Sequence, residues 1–325
     1  MISIKDRFRG CLLGVIIGDA LSTPYEMKIP EQILKMTNGK GVCGFDPNII
    51  RKRTDNKNIL SSDDWALTEV VGKSLLRRGY FDIVDQALAH VEYVEQNGTE
   101  GFGSTTKKGI TELKEYFDSR GLKGRSPFDR PKHVEGKGSG NGIAMKCMPI
   151  LLQRFGVNEI LFQDDFVELG KLTHSNAASW AAAYALCLCL NCEFNSPEFN
   201  QKLLKFDIEF KIDYKYYINK LNSENIVSCS ISDLAKEVGN SCLAIESVPF
   251  SIALWLRNKN NFKNGLLEAV NAGGDTDSIA SMTGALIGFN VGIQGIPKEW
   301  IDYSSEFEKA IVLADELCKK FAYEK

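Results

Sequence analysis

With 325 residues, 44% hydrophobic and 25% charged, the chain has the balance of a globular protein rather than of a disordered or membrane-embedded one. A net charge of −3, with basic residues spread along the length, gives no electrostatic footing for nucleic acid or an anionic membrane as main partner; a small anion held locally stays open. Nine irregularly spaced cysteines argue against a disulfide framework and fit a reducing, cytoplasmic setting, and the absence of any long linker makes one domain over 1–325 the expectation.

In chain order, Lys5, Arg7 and Arg9 ahead of the apolar run 11–17 look like the opening of a signal peptide, but Asp6 and Asp19 bracket that run and Gly14 interrupts it. The segment reads instead as a helix, with Ile4, Phe8, Leu12, Val15 and Ile16 at helical spacing and Gly10, Gly14 and Gly18 four apart on one stripe. Gly284, Gly288 and Gly292 repeat that stripe near the other end. Each glycine costs a helix about 1 kcal/mol relative to alanine, so the stripes predict backbones that approach other elements closely.

Between the stripes, periodicity predicts helices over 65–77, 83–96, 109–116, 166–172, 177–190, 231–238 and 245–256. Alternating strands are scarce, and the mixed stretch 206–218 fits a strand or a helix. The Gly, Pro, Lys and Arg-rich stretch 119–142 is the longest expected loop. Cys187, Cys189 and Cys192 follow an alanine run in an apolar helical segment, where cysteine behaves as a small hydrophobe.

Two acidic clusters carry the chemistry. Ser61-Ser62-Asp63-Asp64 precedes a helix, and taken alone it is explained by capping and by the helix dipole. Ala272-Gly273-Gly274-Asp275-Thr276-Asp277-Ser278 repeats the plan after a flexible Gly-Gly turn, and four carboxylates with hydroxyls at two helix starts exceed what capping needs. Such oxygen donors suit hard cations, Mg²⁺ or Mn²⁺, and the inventory suits two, with Asp277 as the natural bridge. A paired-metal site polarises a substrate oxygen and activates water, which points to hydrolysis. Glu26, just past the turn that follows Gly18-Asp19-Ala20-Leu21, is placed to swing toward such a site. Gly101-Phe102-Gly103-Ser104-Thr105-Thr106 and Gly136-Lys137-Gly138-Ser139-Gly140-Asn141-Gly142 are glycine-rich loops at helix starts, suited to cradling phosphate through backbone N–H groups. His174, at a further helix start, has the means to donate a hydrogen bond to phosphate or ribose.

Taken in order, these segments closely resemble the ADP-ribosylglycohydrolase family, which includes the dinitrogenase reductase-activating glycohydrolases and the ADP-ribosylarginine and ADP-ribosylserine hydrolases. The resemblance runs from about Arg7 to about Trp300, through Gly18-Asp19-Ala20-Leu21 with Pro24 and Glu26, Asp63-Asp64, Gly140-Asn141-Gly142 with Ala144-Met145, Thr173-His174, Glu246-Ser247-Val248-Pro249 and Gly273-Gly274-Asp275-Thr276-Asp277-Ser278. It implies an all-α, single compact helical domain and a pair of Mg²⁺ ions, with Mn²⁺ as a substitute. By resemblance Ser62, Asp63, Asp64, Asp275, Asp277 and Ser278 are metal ligands, and Glu26, Asp63 and Asp277 are catalytic. Gly101, Gly103, Ser139, Gly140, Asn141, Gly142 and His174 are then the residues that contact ADP-ribose.

The implied reaction removes ADP-ribose from a modified protein side chain, arginine-linked or serine-linked, with ADP-ribose as product. Two other readings use the same residues: an ADP-ribose-binding or structural protein that has lost catalysis, and a metal-dependent nucleotide phosphohydrolase, which would release phosphate or AMP. Ser62 stands where threonine is usual in the family, Trp65 where threonine is common, Ser22 where glycine is usual and Lys146 where arginine is frequent. No metal ligand is lost by these departures, but the acceptor side chain is left open. The stretch at about 192–230 matches nothing in the family pattern and is expected to be a variable insertion.

Overall fold

The computed structural model describes residues 2–49, 51–52, 58–120, 138–155, 163–222 and 225–322. Its helices are, in chain order, α1 (Ile4–Ser22), α2 (Pro30–Met36), α3 (Asp63–Arg78), α4 (Ile83–Asn97), α5 (Ser104–Arg120), α6 (Met148–Arg154), α7 (Gln163–Thr173), α8 (Ala177–Asn191) and α9 (Pro197–Phe210). The second half continues with α10 (Tyr214–Asn219), α11 (Asn225–Ser228), α12 (Ile231–Val238), α13 (Ala244–Arg257), α14 (Phe262–Asn271), α15 (Thr276–Val291), α16 (Lys298–Ile301) and α17 (Glu308–Phe321). Among the described residues, β pairing amounts to a two-residue ladder, Arg51–Lys52 against Asn58–Ile59, and two isolated bridges. The fold is all-α, and every helix expected from periodicity is present. The ambiguous stretch 206–218 is helical, split between α9 and α10 by Lys211 in the left-handed region at φ 53°. Most of the long loop predicted over 119–142 lies outside the described residues.

The two glycine stripes explain each other. Helices α1 and α15 run antiparallel with their backbones in contact. A Cβ on Gly10 would stand 2.1 Å from the Gly288 carbonyl oxygen, one on Gly14 2.0 Å from that of Gly284, and one on Gly18 2.3 Å from that of Ala280. No side chain fits at these distances, which is why small residues recur every fourth position. Both helices are buried nearly all round, and so neither shows a polar face.

Antiparallel packing has a consequence for the site: the C-terminal end of α1, with Asp19, lies against the N-terminal end of α15, with Asp277. The hydroxyl of Thr276 donates to the Ser22 carbonyl at 3.2 Å and ties the two ends together. Cys187 and Cys189 are buried in α8, Cys192 is half-buried just beyond it, and Cys147 Sγ lies 3.7 Å from Cys187 Sγ within the core, consistent with their reading as small hydrophobes. Among the described residues no helix is long and apolar enough to cross a membrane.

Candidate active site

The acids at the start of α3 are set in place by a buried carboxylate from another helix. Asp19 is fully buried; its oxygens accept from the backbone N–H of Ser62 at 2.8 and 2.9 Å and of Trp65 at 2.9 Å, and from the Thr23 hydroxyl at 2.8 Å. It satisfies helix-start N–H groups that would otherwise be orphaned. Ser62 caps α3 locally, its hydroxyl accepting from Asp64 N–H at 3.3 Å. The sequence shows Asp19 only as part of a family motif; a lone acid at the end of an apolar helix was the signal that it had a buried task.

At the start of α15 the arrangement differs. Asp275 makes no side-chain cap; its carboxylate accepts from Asn141 Nδ2 at 2.6 Å, and its backbone N–H donates to the Asn240 carbonyl at 2.9 Å. Asn240 also donates its side-chain amide to the Ala272 and Gly273 carbonyls at 3.1 and 2.9 Å. Gly273 and Gly274, at φ 71° and 80°, do not form the flexible turn expected from sequence. Their left-handed backbone is wedged so tightly that a Cβ would stand 2.5 Å from the Lys28 carbonyl and 2.2 Å from the Asn240 carbonyl. Gly274 and Lys28 form a bridge, and Met27 N–H donates to the Gly274 carbonyl at 2.8 Å, which brings the turn carrying Glu26 against this cluster.

The result is a concentration of negative charge. Carboxylate oxygens of Glu26, Asp275 and Asp277 lie within 4.8 Å of one another. Ser62 and Ser278 both place hydroxyls on Asp64, at 3.2 and 3.4 Å, while Asp64 Oδ1 has no hydrogen-bond partner among the described residues. Burial, followed by the charge on Asp19, pushes the Asp63 carboxyl up to about 7, with Lys146 opposing. Burial and then the charge on Asp277 push Asp64 well above the ordinary carboxylate range, burial and then the charges on Asp275 and Glu26 do the same to Asp277, and burial raises Asp275 against the stabilising Asn141 hydrogen bond. Buried carboxylates crowded in this way, one of them with an orphaned oxygen, fit a multivalent cation held by oxygen ligands.

Most of the sequence-derived substrate residues line the same cavity, of about 280 Å³. Glu26, Asp63, Asp64, Asp275, Asp277 and Ser278 line it; Gly101, Gly103, Gly140, Asn141, Gly142 and His174 are brought to it from three separate loops. Ser62 does not line this cavity but a smaller neighbouring one, and Ser139 lines neither. Phe102, Ser104 to Thr106 and Met145, which belong to segments singled out in the sequence, line it as well, and the cavity adds two residues that the sequence did not mark: Met27 and Cys242.

The two glycine loops turn out to differ. Gly101, at φ 87°, and Gly103 face open space at the start of the long helix α5, as an anion cradle requires. Gly138 and Gly142 are glycine for another reason: a Cβ there would stand 2.9 Å from Thr105 Cγ2 and 2.5 Å from His174 Cε1. That second loop enters a single 3₁₀ turn, Ala144–Lys146, not an α-helix, and its Asn141 N–H is taken by the Cys242 carbonyl at 3.0 Å. Gly136 and Lys137 lie outside the described residues. His174 is in the connection between α7 and α8 rather than inside a helix start. Its Nδ1 is 2.9 Å from the Thr173 hydroxyl, its carbonyl accepts from Trp180 Nε1 at 2.7 Å, and the residue is buried.

Comparison with known proteins identifies the family. The family model for ADP-ribosylglycohydrolase matches residues 1–325. The chain is 28% identical to the mouse (Mus musculus) ADP-ribosylhydrolase ARH3, over 97% of this chain and 92% of that protein. To the ADP-ribosyl-[dinitrogen reductase] glycohydrolase of Rhodospirillum rubrum it is 24% identical, over 92% and 90%. A solved structure described as an ADP-ribosylglycohydrolase-related protein complex superposes with a TM-score of 0.65 at 21% identity, covering 98% of each chain, and so shares the fold. With its whole length matched, the chain belongs to the ADP-ribosylglycohydrolase family and is an ADP-ribosylglycohydrolase, a hydrolase.

Proposed function

We propose that the protein is a Mg²⁺-dependent hydrolase that removes ADP-ribose from a modified protein side chain, with Ser62, Asp63, Asp64, Asp275, Asp277 and Ser278 holding two cations and Mn²⁺ able to replace Mg²⁺. The observation that carries this reading is the meeting, in one cavity, of the Glu26, Asp275 and Asp277 carboxylates with the Gly101–Thr106 and Gly140–Gly142 loops and His174. When bound, the cations would supply Lewis acidity that favours deprotonation of the attacking water.

The protein's own groups do the rest. The open backbone at Gly101 and Gly103 takes the diphosphate at the start of α5, and Asn141, Gly142 and His174 close over the ribose. Ser139 contributes through its backbone, whose carbonyl accepts from Ala244 N–H at 2.9 Å and fixes the loop. Glu26 orients a water molecule and accepts its proton as the water oxygen bonds to C1. The bond from C1 to the acceptor nitrogen or oxygen breaks, the leaving group takes up a proton, and ADP-ribose leaves with the new hydroxyl. The transition state has oxocarbenium character, which a nearby carboxylate stabilises.

We read residues 1–325 as one domain, since the hydrophobic core runs from Phe8 to Leu317, and the 192–230 segment as an insertion resting on α8 and α13. The nine free cysteines support a cytoplasmic location. The test is release of ADP-ribose from arginine-linked and serine-linked peptides, with Mg²⁺ and after chelation. Release that needs the cation and falls by roughly 10³-fold in Asp277→Ala is the expected result; release of phosphate or AMP, or release indifferent to chelation, refutes it. Glu26→Ala should keep ADP-ribose binding and turn over slowly, and unchanged turnover would remove Glu26 from its role.

A further inference from the structure

Ser179 and Trp180, neighbours in the first turn of α8, do not line the catalytic cavity, yet each grips a loop that does. Trp180 donates its indole N–H to the His174 carbonyl at 2.7 Å, while the His174 backbone N–H donates to the Gly170 carbonyl at 2.6 Å, so this residue is held on both sides. The fully buried Ser179 hydroxyl stands 2.8 Å from the Gly138 carbonyl and 2.9 Å from the Gly140 carbonyl, its one proton shared between them. We propose that Ser179 and Trp180 are positioning residues that set the gap between the Gly138–Gly142 loop and His174, and that the 192–230 segment braces them from behind and so governs how tightly ADP-ribose is held. The proposal rests on the reading of this cavity as the ADP-ribose site.

The gap has no slack. A Cβ on Gly138 would stand 3.1 Å from His174 Cα, one on Gly140 3.4 Å from His174 Nε2, and one on Gly142 2.5 Å from His174 Cε1. Loop and histidine are in contact along three glycines, and what fixes their separation is what holds them from outside. Both holds come from one turn of one helix, whose start is itself capped by Asn176, its side-chain oxygen accepting from Ala178 N–H at 2.8 Å.

Behind that turn stand α9 and α10. The indole of Trp180 passes over Gly170, where a Cβ would lie 2.3 Å from its Cδ1 and Nε1, and meets the Phe210 ring of α9 edge to face, with centroids 5.7 Å apart and planes at 85°. Phe210 is backed by Phe206 at 4.5 Å, and Phe206 stacks on Tyr184 of α8 at 5.0 Å, so the aromatic row returns to the helix it supports. On the side of the other loop, the buried Tyr214 hydroxyl of α10 donates to the Ala244 carbonyl at 2.9 Å, and Ala244 N–H donates to the Ser139 carbonyl at 2.9 Å. Asp207 fixes the joint between α9 and α10 by accepting from Tyr214 and Lys215 N–H at 3.1 and 2.8 Å. The segment thus reaches both loops, one through an indole and the other through a phenol.

The test measures ADP-ribose affinity by calorimetry, and kcat and KM for ADP-ribose release from whichever of the arginine-linked and serine-linked peptides the wild type cleaves, with Mg²⁺. The variants are Trp180→Phe, Ser179→Ala, Phe210→Leu, His174→Ala and the Trp180→Phe/His174→Ala double variant. Trp180→Phe keeps an aromatic ring and loses the N–H; it should weaken ADP-ribose binding about fivefold, as for loss of a neutral hydrogen bond, and raise KM by a similar factor with kcat within about twofold. Ser179→Ala should do the same, and Phe210→Leu should weaken binding about threefold although it touches neither loop. In the His174→Ala background Trp180→Phe should add less than about twofold, because its effect runs through His174. A merely structural role would lower the amount of folded enzyme, and with it kcat, at unchanged KM. That pattern overturns the proposal, as does wild-type affinity in both Trp180→Phe and Ser179→Ala, or a Trp180→Phe effect undiminished without His174; each leaves the glycohydrolase reading standing. Wild-type affinity in His174→Ala, or release from neither peptide, overturns the reading of the cavity and the proposal with it.

Discussion

The starts of α3 and α15 carry nearly the same residues, two aspartates and a serine in the first turn, yet they are held by opposite means. At α3 the anchor is an anion: Asp19 reaches across from α1 to accept from Ser62 and Trp65 N–H, and Ser62 adds the local cap. At α15 the anchors are amides: Asn141 donates to the Asp275 carboxylate, and Asn240 clamps the Gly-Gly turn from outside. One start is therefore fixed by adding negative charge to a site already rich in it, the other by offsetting that charge. The α3 side in turn is backed by bases, Lys146 in the turn beneath it and His90 on α4, both fully buried with Lys146 Nζ and His90 Nε2 lacking hydrogen-bond partners among the described residues.

The sharpest way to break this comparison is Asp19→Ala. It strips buried N–H donors of their acceptor, and destabilisation of about 3 kcal/mol or more is expected in urea unfolding, together with weaker Mg²⁺ binding by calorimetry. A variant as stable as wild type would mean that α3 is positioned by its own cap alone. Next in size is the acid response of the bases behind α3. Burial, then the charge on Lys146, lowers the His90 imidazole to about 3 from its ordinary 6.5. The folded state thus keeps His90 neutral where the unfolded chain binds a proton, so the stability is present above pH 6.5 and is lost as pH falls toward 3. The difference, 6.5 less 3, corresponds to roughly 4–5 kcal/mol at most. Denaturant unfolding across pH 7 to 4 should show a shallower slope in His90→Gln than in wild type; equal slopes would place the acid response elsewhere.

Much of this was legible in the sequence because it is local. Helix period, glycine stripes and acids at helix starts are set by neighbours within a turn or two, and all were readable from α1 to α15. What was not legible acts across the chain on backbone groups. Asp19 bonds residues more than forty positions away, and Asn240 grips a turn over thirty positions on. Neither carries a pattern of its own. The Gly138–Gly142 loop was readable as glycine-rich, but the reason for its glycines, room for Thr105 and His174, needed the tertiary packing. The amide side of the comparison is tested by Asn141→Ala, which should cost about 1.5–3 kcal/mol, the range for a hydrogen bond to a charged group. Adding Mg²⁺ should recover part of that loss, since a cation also offsets the Asp275 charge; loss without recovery would make Asn141 a purely structural residue.

The smallest effect separates the two serines. Ser62 accepts from Asp64 N–H and is the cap of α3, whereas Ser278 sits inside the first turn of α15, where its hydroxyl approaches Asp64 Oδ2 at 3.4 Å and hydrogen-bonds the Asp275 side chain without capping a backbone donor. In metal-free protein, Ser62→Ala should therefore lower stability by about 1 kcal/mol, the usual worth of a cap. Ser278→Ala should lie within about 0.5 kcal/mol of wild type, because no backbone donor depends on it. With Mg²⁺ present the two should converge, each gaining less thermal stability from the cation than wild type does, because each has lost one oxygen ligand. Equal stability of the two variants without metal would show that Ser62 serves only as a ligand, and that Asp19 alone holds the start of α3. A full wild-type gain from Mg²⁺ in either variant would remove that serine from the metal site.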